Sequence, residues 1–119
     1  VSVAPGDFHM SALFSENGVY LKNTQGPKRQ SVRPCADILF ESVVQIYGRN
    51  TLGFVFTGMG EDGKEGSLAI KRVGGGVCIQ DQDTCVVWGM PKSVYEAGAF
   101  DKMAPLEECA RVLNKLMKV

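Results

Sequence analysis

Apolar residues along the chain follow two different spacings, which alternate from one segment to the next. Residues 1–5 alternate as a short strand. The apolar runs on either side of Asn17–Gly18 predict a β-hairpin with a type I′ turn, in which both central residues have positive φ. The runs 52–57 and 77–80 are apolar throughout, which is typical of strands covered on both faces of a parallel sheet. The sequence therefore predicts a hairpin and a sheet of buried strands.

Four other segments have the spacing of helices. Apolar residues recur every three or four positions between Pro34 and Gly48. The last segment begins acidic and ends basic, which complements the helix dipole. The predicted helices cover 34–48, 65–73, 90–98 and 105–118. Because strands alternate with helices, we predict an α/β fold with a largely parallel sheet flanked by helices, together with the antiparallel β-hairpin.

The composition suits a single domain that spans residues 1–119. Of these residues 45% are apolar and 22% are charged, and 13 basic residues balance 13 acidic ones. This balance argues against a nucleic-acid partner, and no run approaches the ~18 apolar residues of a membrane span, so we expect no membrane insertion. The four cysteines form no C-x-x-C pair and lie far in sequence from the only histidine. We therefore expect no metal site, and reduced thiols in a cytoplasmic protein.

The start of the chain and the small number of strands predict a partial domain. The chain opens inside a strand-like run without a methionine, and few strands are available for a sheet with helices on both faces. We therefore expect an exposed sheet edge, and such an edge favours self-association.

Two polar stretches are assigned structural roles. The loop 23–34 contains Lys28, Arg29 and Arg33, and we expect it to be solvated. Asp7 lies in a Pro-Gly turn, where a turn-forming role is the simplest explanation.

The segment "FVFTGMGEDG", residues 54–63, matches the dinucleotide-binding pattern G-x-G-x-x-G. It follows a strand and precedes a helix, and Asp81 ends the next strand near the spacing of a ribose-binding acid, so a Rossmann-like nucleotide-binding domain is one alternative. However, Glu61 and Asp62 would repel a pyrophosphate at that place. A second alternative is that the glycines only form a tight turn and the acids cap the helix that follows.

His9 and Asp62 are the candidate catalytic pair. Each follows the carboxyl end of a predicted strand, and parallel strands would bring both to one edge of the sheet. A carboxylate beside a histidine fixes the tautomer of the ring, and N–H groups of the glycine loop can bind an oxyanion. No serine of the chain lies in a G-x-S-x-G-like elbow, so this pair lacks a nucleophile here.

Four blocks of the sequence resemble motifs of the chemotaxis protein-glutamate methylesterases, the CheB-type family, in the right order. They correspond to the family's A-P-G-x-x-H-M segment, its P-S-V-D-x-L-F-x-S helix, its T-G-M-G-x-D-G-x-x-G loop and its closing region. In this chain they read "VAPGDFHM", "CADILFESVVQIYG", "TGMGEDGKEG" and "IQDQDTCVVWGMPKSVYEAGAFDKMAPLEECA". The resemblance covers nearly the whole chain, with "CAD" where the family usually has "SVD".

The resemblance implies a serine hydrolase that removes methyl esters from glutamates of chemoreceptor helices and in some members deamidates glutamines. His9 corresponds to the base, Asp62 to the carboxylate and the N–H of Met59 to an oxyanion donor, while Trp88 and Met90 lie near the active-site rim. No metal or cofactor is implied, and a receiver domain is a further partner. The family's nucleophilic serine lies upstream of the matched region, so we expect this chain alone to be inactive. A non-catalytic interaction module of the same fold remains an alternative.

Overall fold

The computed structural model describes residues 1–117, and residue 118 of the last predicted helix lies outside them. Within this range the chain forms nine main elements, with a short 3₁₀ turn at Gly48–Asn50. In chain order they are β1 (His9–Ser15), β2 (Gly18–Thr24), α1 (Ala36–Tyr47), β3 (Leu52–Val55), α2 (Lys64–Arg72), β4 (Gly76–Gln80), α3 (Gly89–Glu96), β5 (Lys102–Ala104) and α4 (Leu106–Met117).

The central sheet has three parallel strands in the order β3-β4-β5. Cys78 of β4 pairs with Phe54 of β3 on one side and with Lys102 of β5 on the other. The predicted α/β fold with a parallel sheet and a separate hairpin is thereby confirmed. Strand β5 was not predicted, because only three residues form it and two of them are exposed.

Side chains of β3 and β4 alternate between two apolar clusters. Val55, Val77 and Ile79 pack with Ile70 of α2 and Val94 of α3 in the larger cluster. On the opposite face, Cys78 packs with Ala104 of β5 and with Cys109 and Val112 of α4. Complete burial of one Ile or Val side chain stabilises the fold by about 1.5–3 kcal/mol. Because the larger cluster contains Val55 of β3 and Ile70 of α2, it holds the two elements that the glycine loop joins.

The predicted hairpin is confirmed, but its predicted turn type is wrong. Ser15 pairs with Gly18, so that Glu16 and Asn17 form the turn. Only Gly18 takes a positive φ, of 110°, and Asn17 does not. A glycine directly after the turn accommodates the twist of the two strands, so neither central residue needs the left-handed region.

The predicted strand over residues 1–5 is also wrong. The segment is irregular, and the side chains of Val1 and Val3 are exposed. An alternating pattern becomes a strand only where a neighbouring strand supplies hydrogen bonds, and no described strand pairs with this segment.

Candidate active site

The glycine loop is held by two carboxylates that cap each other's helices. Asp62 accepts hydrogen bonds from the N–H groups of Ala36 and Asp37 at the start of α1, at 2.7 and 3.0 Å. Asp37 in turn accepts from the N–H groups of Gly63 and Gly66 at the start of α2, at 2.9 and 2.7 Å. The expectation that the loop acids cap the following helix is therefore wrong for Asp62, which caps the preceding helix.

Burial and the facing helix ends determine the electrostatics of this pair. Asp37 is fully buried, and its burial raises its pKa, as does the nearby charge of Asp62, while the N–H of Gly66 acts in the opposite direction. The positive ends of two helices stabilise both carboxylates, and each capping acceptor contributes about 0.5–2 kcal/mol. The pair therefore fixes the loop in place.

The thiol of Cys35 completes this buried group. It donates to Oδ1 of Asp62 at 3.1 Å, and burial together with this bond raises its pKa to about 11. Ligand atoms of Cys35, Asp37 and Asp62 lie within 4.8 Å of one another. The carboxylates already accept backbone N–H groups at two positive helix ends, so the donor set does not suit a cation.

Gln80 holds the other end of the loop by hydrogen bonds and was not among the predicted site residues. The residue is buried at the end of β4, where Oε1 accepts from the N–H of Thr57 and Nε2 donates to the carbonyl of Thr84, both at 2.8 Å. A single amide at the end of an otherwise apolar strand was the available signal. Asp81 accepts from the N–H and hydroxyl of Thr84, so it forms a local turn.

The predicted rim residues lie directly against the glycine loop. Gly58 donates to the carbonyl of Val87 at 2.9 Å and accepts from the N–H groups of Gly89 and Met90 at 3.0 and 2.8 Å. The Met90 side chain fills the space that a Cβ at position 58 would need. Trp88 is half-buried and donates from its ring to the carbonyl of Gln80 at 3.1 Å. The structure therefore places Trp88 and Met90 beside Gly58, the residue before Met59.

Met59 stands at the exposed tip of this loop. Its side chain is 85% exposed. No acceptor within residues 1–117 bonds to its N–H. Gly58 before it and Asp62 after it are held by hydrogen bonds, so this N–H is a positioned donor without a partner among the described residues.

His9 is buried and is not hydrogen-bonded to Asp62. Its Nε2 donates to the carbonyl of Pro27 at 2.8 Å, and its Nδ1 is buried without a partner in the described part of the chain. His9 begins β1 of the antiparallel hairpin. The argument that parallel strands carry His9 and Asp62 to one sheet edge is therefore wrong. The N–H of Asp7 bonds to the carbonyl of Arg33, which brings the start of β1 beside the segment that leads into α1.

The loop between β2 and α1 is exposed to solvent over most of residues 23–34, as predicted, and two of its arginines also hold it against the rest of the fold. Arg33 donates to Oδ1 of Asp7 and to the carbonyls of Gln25 and Gly26. This hydrogen bond to Arg33 holds the pKa of Asp7 below its usual value. Arg29 makes a two-pronged ion pair with Glu41 of α1. Asp7 itself takes a left-handed φ of 69°, as a turn residue can.

The groups that would bind a dinucleotide are already hydrogen-bonded within the protein. Such a ligand needs free N–H groups at the start of α2, and Asp37 already occupies those of Gly63 and Gly66. The acid expected to bind a ribose, Asp81, is engaged by Thr84. Among residues 1–117, no helix is long and apolar enough to cross a membrane.

Comparisons with known proteins agree in the family that they indicate. The model of the CheB methylesterase family matches residues 1–113. Two proteins named protein-glutamate methylesterase/protein-glutamine glutaminase are similar to the chain. That of Bdellovibrio bacteriovorus is 45% identical over 99% of this chain and 33% of its own length. That of Pyrococcus horikoshii is 38% identical over 98% of this chain and 32% of its own length.

A solved structure agrees in fold as well. The crystal structure of the Thermotoga maritima CheB methylesterase catalytic domain superposes with a TM-score of 0.93 at 38% identity. The match covers 96% of this chain and 60% of that one. The chain thus spans about a third of the length of the curated relatives that it matches.

Proposed function

Because this chain belongs to the CheB methylesterase family, an enzyme family, we propose that it supplies the base, the carboxylate and an oxyanion donor of a serine-type protein-glutamate methylesterase. The substrates are methyl esters on glutamates of chemoreceptor helices, and glutamine amides are a second substrate. The observation that carries the proposal is the free N–H of Met59. The loop that contains it is held in place by the Asp37 and Asp62 carboxylates and by the side chain of Gln80. The mechanism needs no metal or cofactor.

His9 acts as the proton carrier in this mechanism. A serine outside this chain attacks the ester carbonyl carbon while His9 takes its hydroxyl proton. His9 then returns that proton to the departing methoxide, so that methanol leaves. Water attacks the acyl-enzyme, its proton passes through His9 to the serine oxygen, and the glutamate is released.

Asp62 supplies the negative charge that stabilises the imidazolium form of His9. In the described conformation its oxygens are bonded at the start of α1, and His9 is bonded to Pro27. If Nε2 is to take the serine proton while Nδ1–H donates to Asp62, the ring proton must move from Nε2 to Nδ1, and Nε2 must leave the Pro27 carbonyl. We propose that assembly of the complete catalytic site brings about this movement.

Met59 stabilises the tetrahedral intermediate through its N–H, and Trp88 and Met90 line the approach to it. Removing one oxyanion donor typically costs about 10²–10³-fold in kcat. Met59→Pro removes the N–H, whereas Met59→Ala keeps it and changes only an exposed side chain. In the longer protein that contains the serine, we expect Met59→Pro to lower kcat by this factor and Met59→Ala to leave it nearly unchanged.

The test is methanol release from methylated chemoreceptor. Three proteins are compared: the 119-residue chain, the longest protein that its reading frame encodes, and the His9→Gln variant of that longer protein. We expect turnover by the longer protein, a loss of roughly 10⁴-fold in His9→Gln, and none by the chain alone. Turnover by the isolated chain at an ordinary enzymatic rate would contradict the need for an outside serine. A longer protein that binds receptor without releasing methanol is the non-catalytic module of the same fold, and contradicts the proposal. A regulatory receiver domain and a cytoplasmic location are part of the same proposal.

A further inference from the structure

We infer that Arg33 is a positioning residue for His9, acting through the main-chain carbonyl of Pro27. Arg33 does not touch the His9 ring in the described contacts. Its guanidinium instead holds the two chain segments that carry the partners of the His9–Pro27 hydrogen bond. The consequence for catalysis rests on the proposed function, whereas the positioning itself does not.

The starting point is that the His9 ring has a single hydrogen bond. Nε2 lies 2.8 Å from the carbonyl oxygen of Pro27, and His9 is 3% exposed. A carbonyl oxygen only accepts, so Nε2 carries the proton. The lone pair of the neutral ring then lies on Nδ1, which is buried without a partner in residues 1–117.

Arg33 fixes the position of that carbonyl. Its Nη1 donates to the carbonyls of Gln25 and Gly26, the two residues before Pro27, at 3.3 and 3.1 Å. Its Nε donates at 3.0 Å to Oδ1 of Asp7, two residues before His9, and Nη2 donates to the same oxygen. Gln25 also donates to Oδ2 of Asp7, at 3.2 Å. One rigid planar group thus joins both segments, and a lysine cannot reproduce its fork of donors.

This arrangement keeps His9 in a resting state. A histidine that takes a proton from a serine through Nε2, while a carboxylate holds Nδ1–H, needs the opposite tautomer. The bond to Pro27 occupies Nε2 and therefore competes with that role. Arg33 accordingly controls how readily His9 becomes available as a base.

The test is nitrogen-15 NMR of the His9 ring in the 119-residue chain, where a single histidine gives an unambiguous signal. In wild type we expect the proton on Nε2, in slow exchange with water. In Arg33→Lys we expect this exchange to be about tenfold faster, because losing one hydrogen bond to Arg33 makes opening of the His9–Pro27 bond easier by about that factor. Asp7→Asn removes the charged partner but leaves the carbonyl contacts, so we expect an intermediate rate.

Arg29→Lys is the matched control, because Arg29 lies in the same loop and bonds to Glu41, away from residues 25–27. We expect it to leave the exchange rate within twofold of wild type. The inference is overturned by a proton on Nδ1 in wild type, by an Arg33→Lys rate within twofold of wild type, or by equal acceleration in Arg29→Lys. If Arg33→Lys does not fold, Asp7→Asn decides by the same criterion. None of these measurements involves turnover, so a failed esterase assay leaves the inference intact, and the reverse also holds.

Discussion

Asp37 and Asp62 exchange helix caps: each carboxylate binds the N-terminal N–H groups of the helix that begins beside the other. The two residues are 25 positions apart in sequence. The glycine loop is therefore fixed by contacts on both of its sides.

Replacing either carboxylate should destabilise the fold. Asp37→Ala leaves the N–H groups of Gly63 and Gly66 without their acceptor in a buried place, and we expect a loss of about 2–4 kcal/mol in the free energy of unfolding. Asp37→Asn retains one acceptor oxygen and should lose less. Urea denaturation measures both. Asp83→Asn, at an exposed acid, should change the value by no more than ~0.5 kcal/mol. Equal effects at positions 37 and 83 would contradict the capping role.

Gly58 is required because Met90 occupies the space beside it. Gly58→Ala places a Cβ against the Met90 side chain, and we expect it to cost about 1–3 kcal/mol. In a Met90→Ala background the same change should cost at least ~1 kcal/mol less, because the clash is gone. Gly6→Ala is the control, since no atom lies within 4 Å of a Cβ there. Additive effects of the changes at 58 and 90 would show that the two residues do not interact.

The free edge of β3 should cause self-association. Within residues 1–117, β3 pairs only with β4, and Leu52 and Phe56 near this edge are 40% and 43% exposed. Light scattering should therefore show a mass that rises with protein concentration. Leu52→Lys, at the first residue of β3, should reduce the rise, because charged side chains block edge pairing. Val73→Lys makes the same change at a similarly exposed residue outside β3. A strictly monomeric wild-type chain at all concentrations would contradict this prediction.

The cysteines should differ in their reactivity. Cys85 is half-buried, whereas Cys35, Cys78 and Cys109 are buried. Burial raises the pKa of Cys35 and of Cys78 to about 11, so that about 0.1% of each is thiolate at pH 8. We expect iodoacetamide at pH 8 to label Cys85 first in the folded protein, as followed by peptide mass spectrometry. In urea all four should react at similar rates. Labelling of Cys35 as fast as Cys85 in the folded chain would contradict the buried environment.

Local patterns predicted the elements that depend on neighbouring residues. The apolar spacing gave α1 and α2 nearly to the residue, and the continuous apolar runs gave β3 and β4. The hairpin followed from Gly18, although the turn type did not, since a single positive φ satisfies it. By contrast, β5 has too few residues to form a pattern, and the strand predicted at 1–5 lacks a partner.

The candidate site was less predictable because its contacts join distant parts of the chain. His9 and Asp62 were singled out by their positions after predicted strands and by the family resemblance, which also gave Met59, and their roles stay proposals. His9 does not lie at the end of a parallel strand as predicted, because it begins β1 of the antiparallel hairpin. The cap formed by Asp37, the brace formed by Gln80 and the bonds of Arg33 each connect segments whose relation a linear pattern does not contain.

The exchanged caps also have a consequence for how the protein folds. The start of α1 gains its acceptor, Asp62, only when the chain beside α2 is in its native place, and the start of α2 gains Asp37 only when α1 is in place. The first turns of α1 and α2 therefore cannot be completed one at a time, and should form and fray as a single cooperative unit. Hydrogen exchange at Ala36 and at Gly66 should then report the same opening event, although α1, β3 and the glycine loop lie between the two amides in sequence.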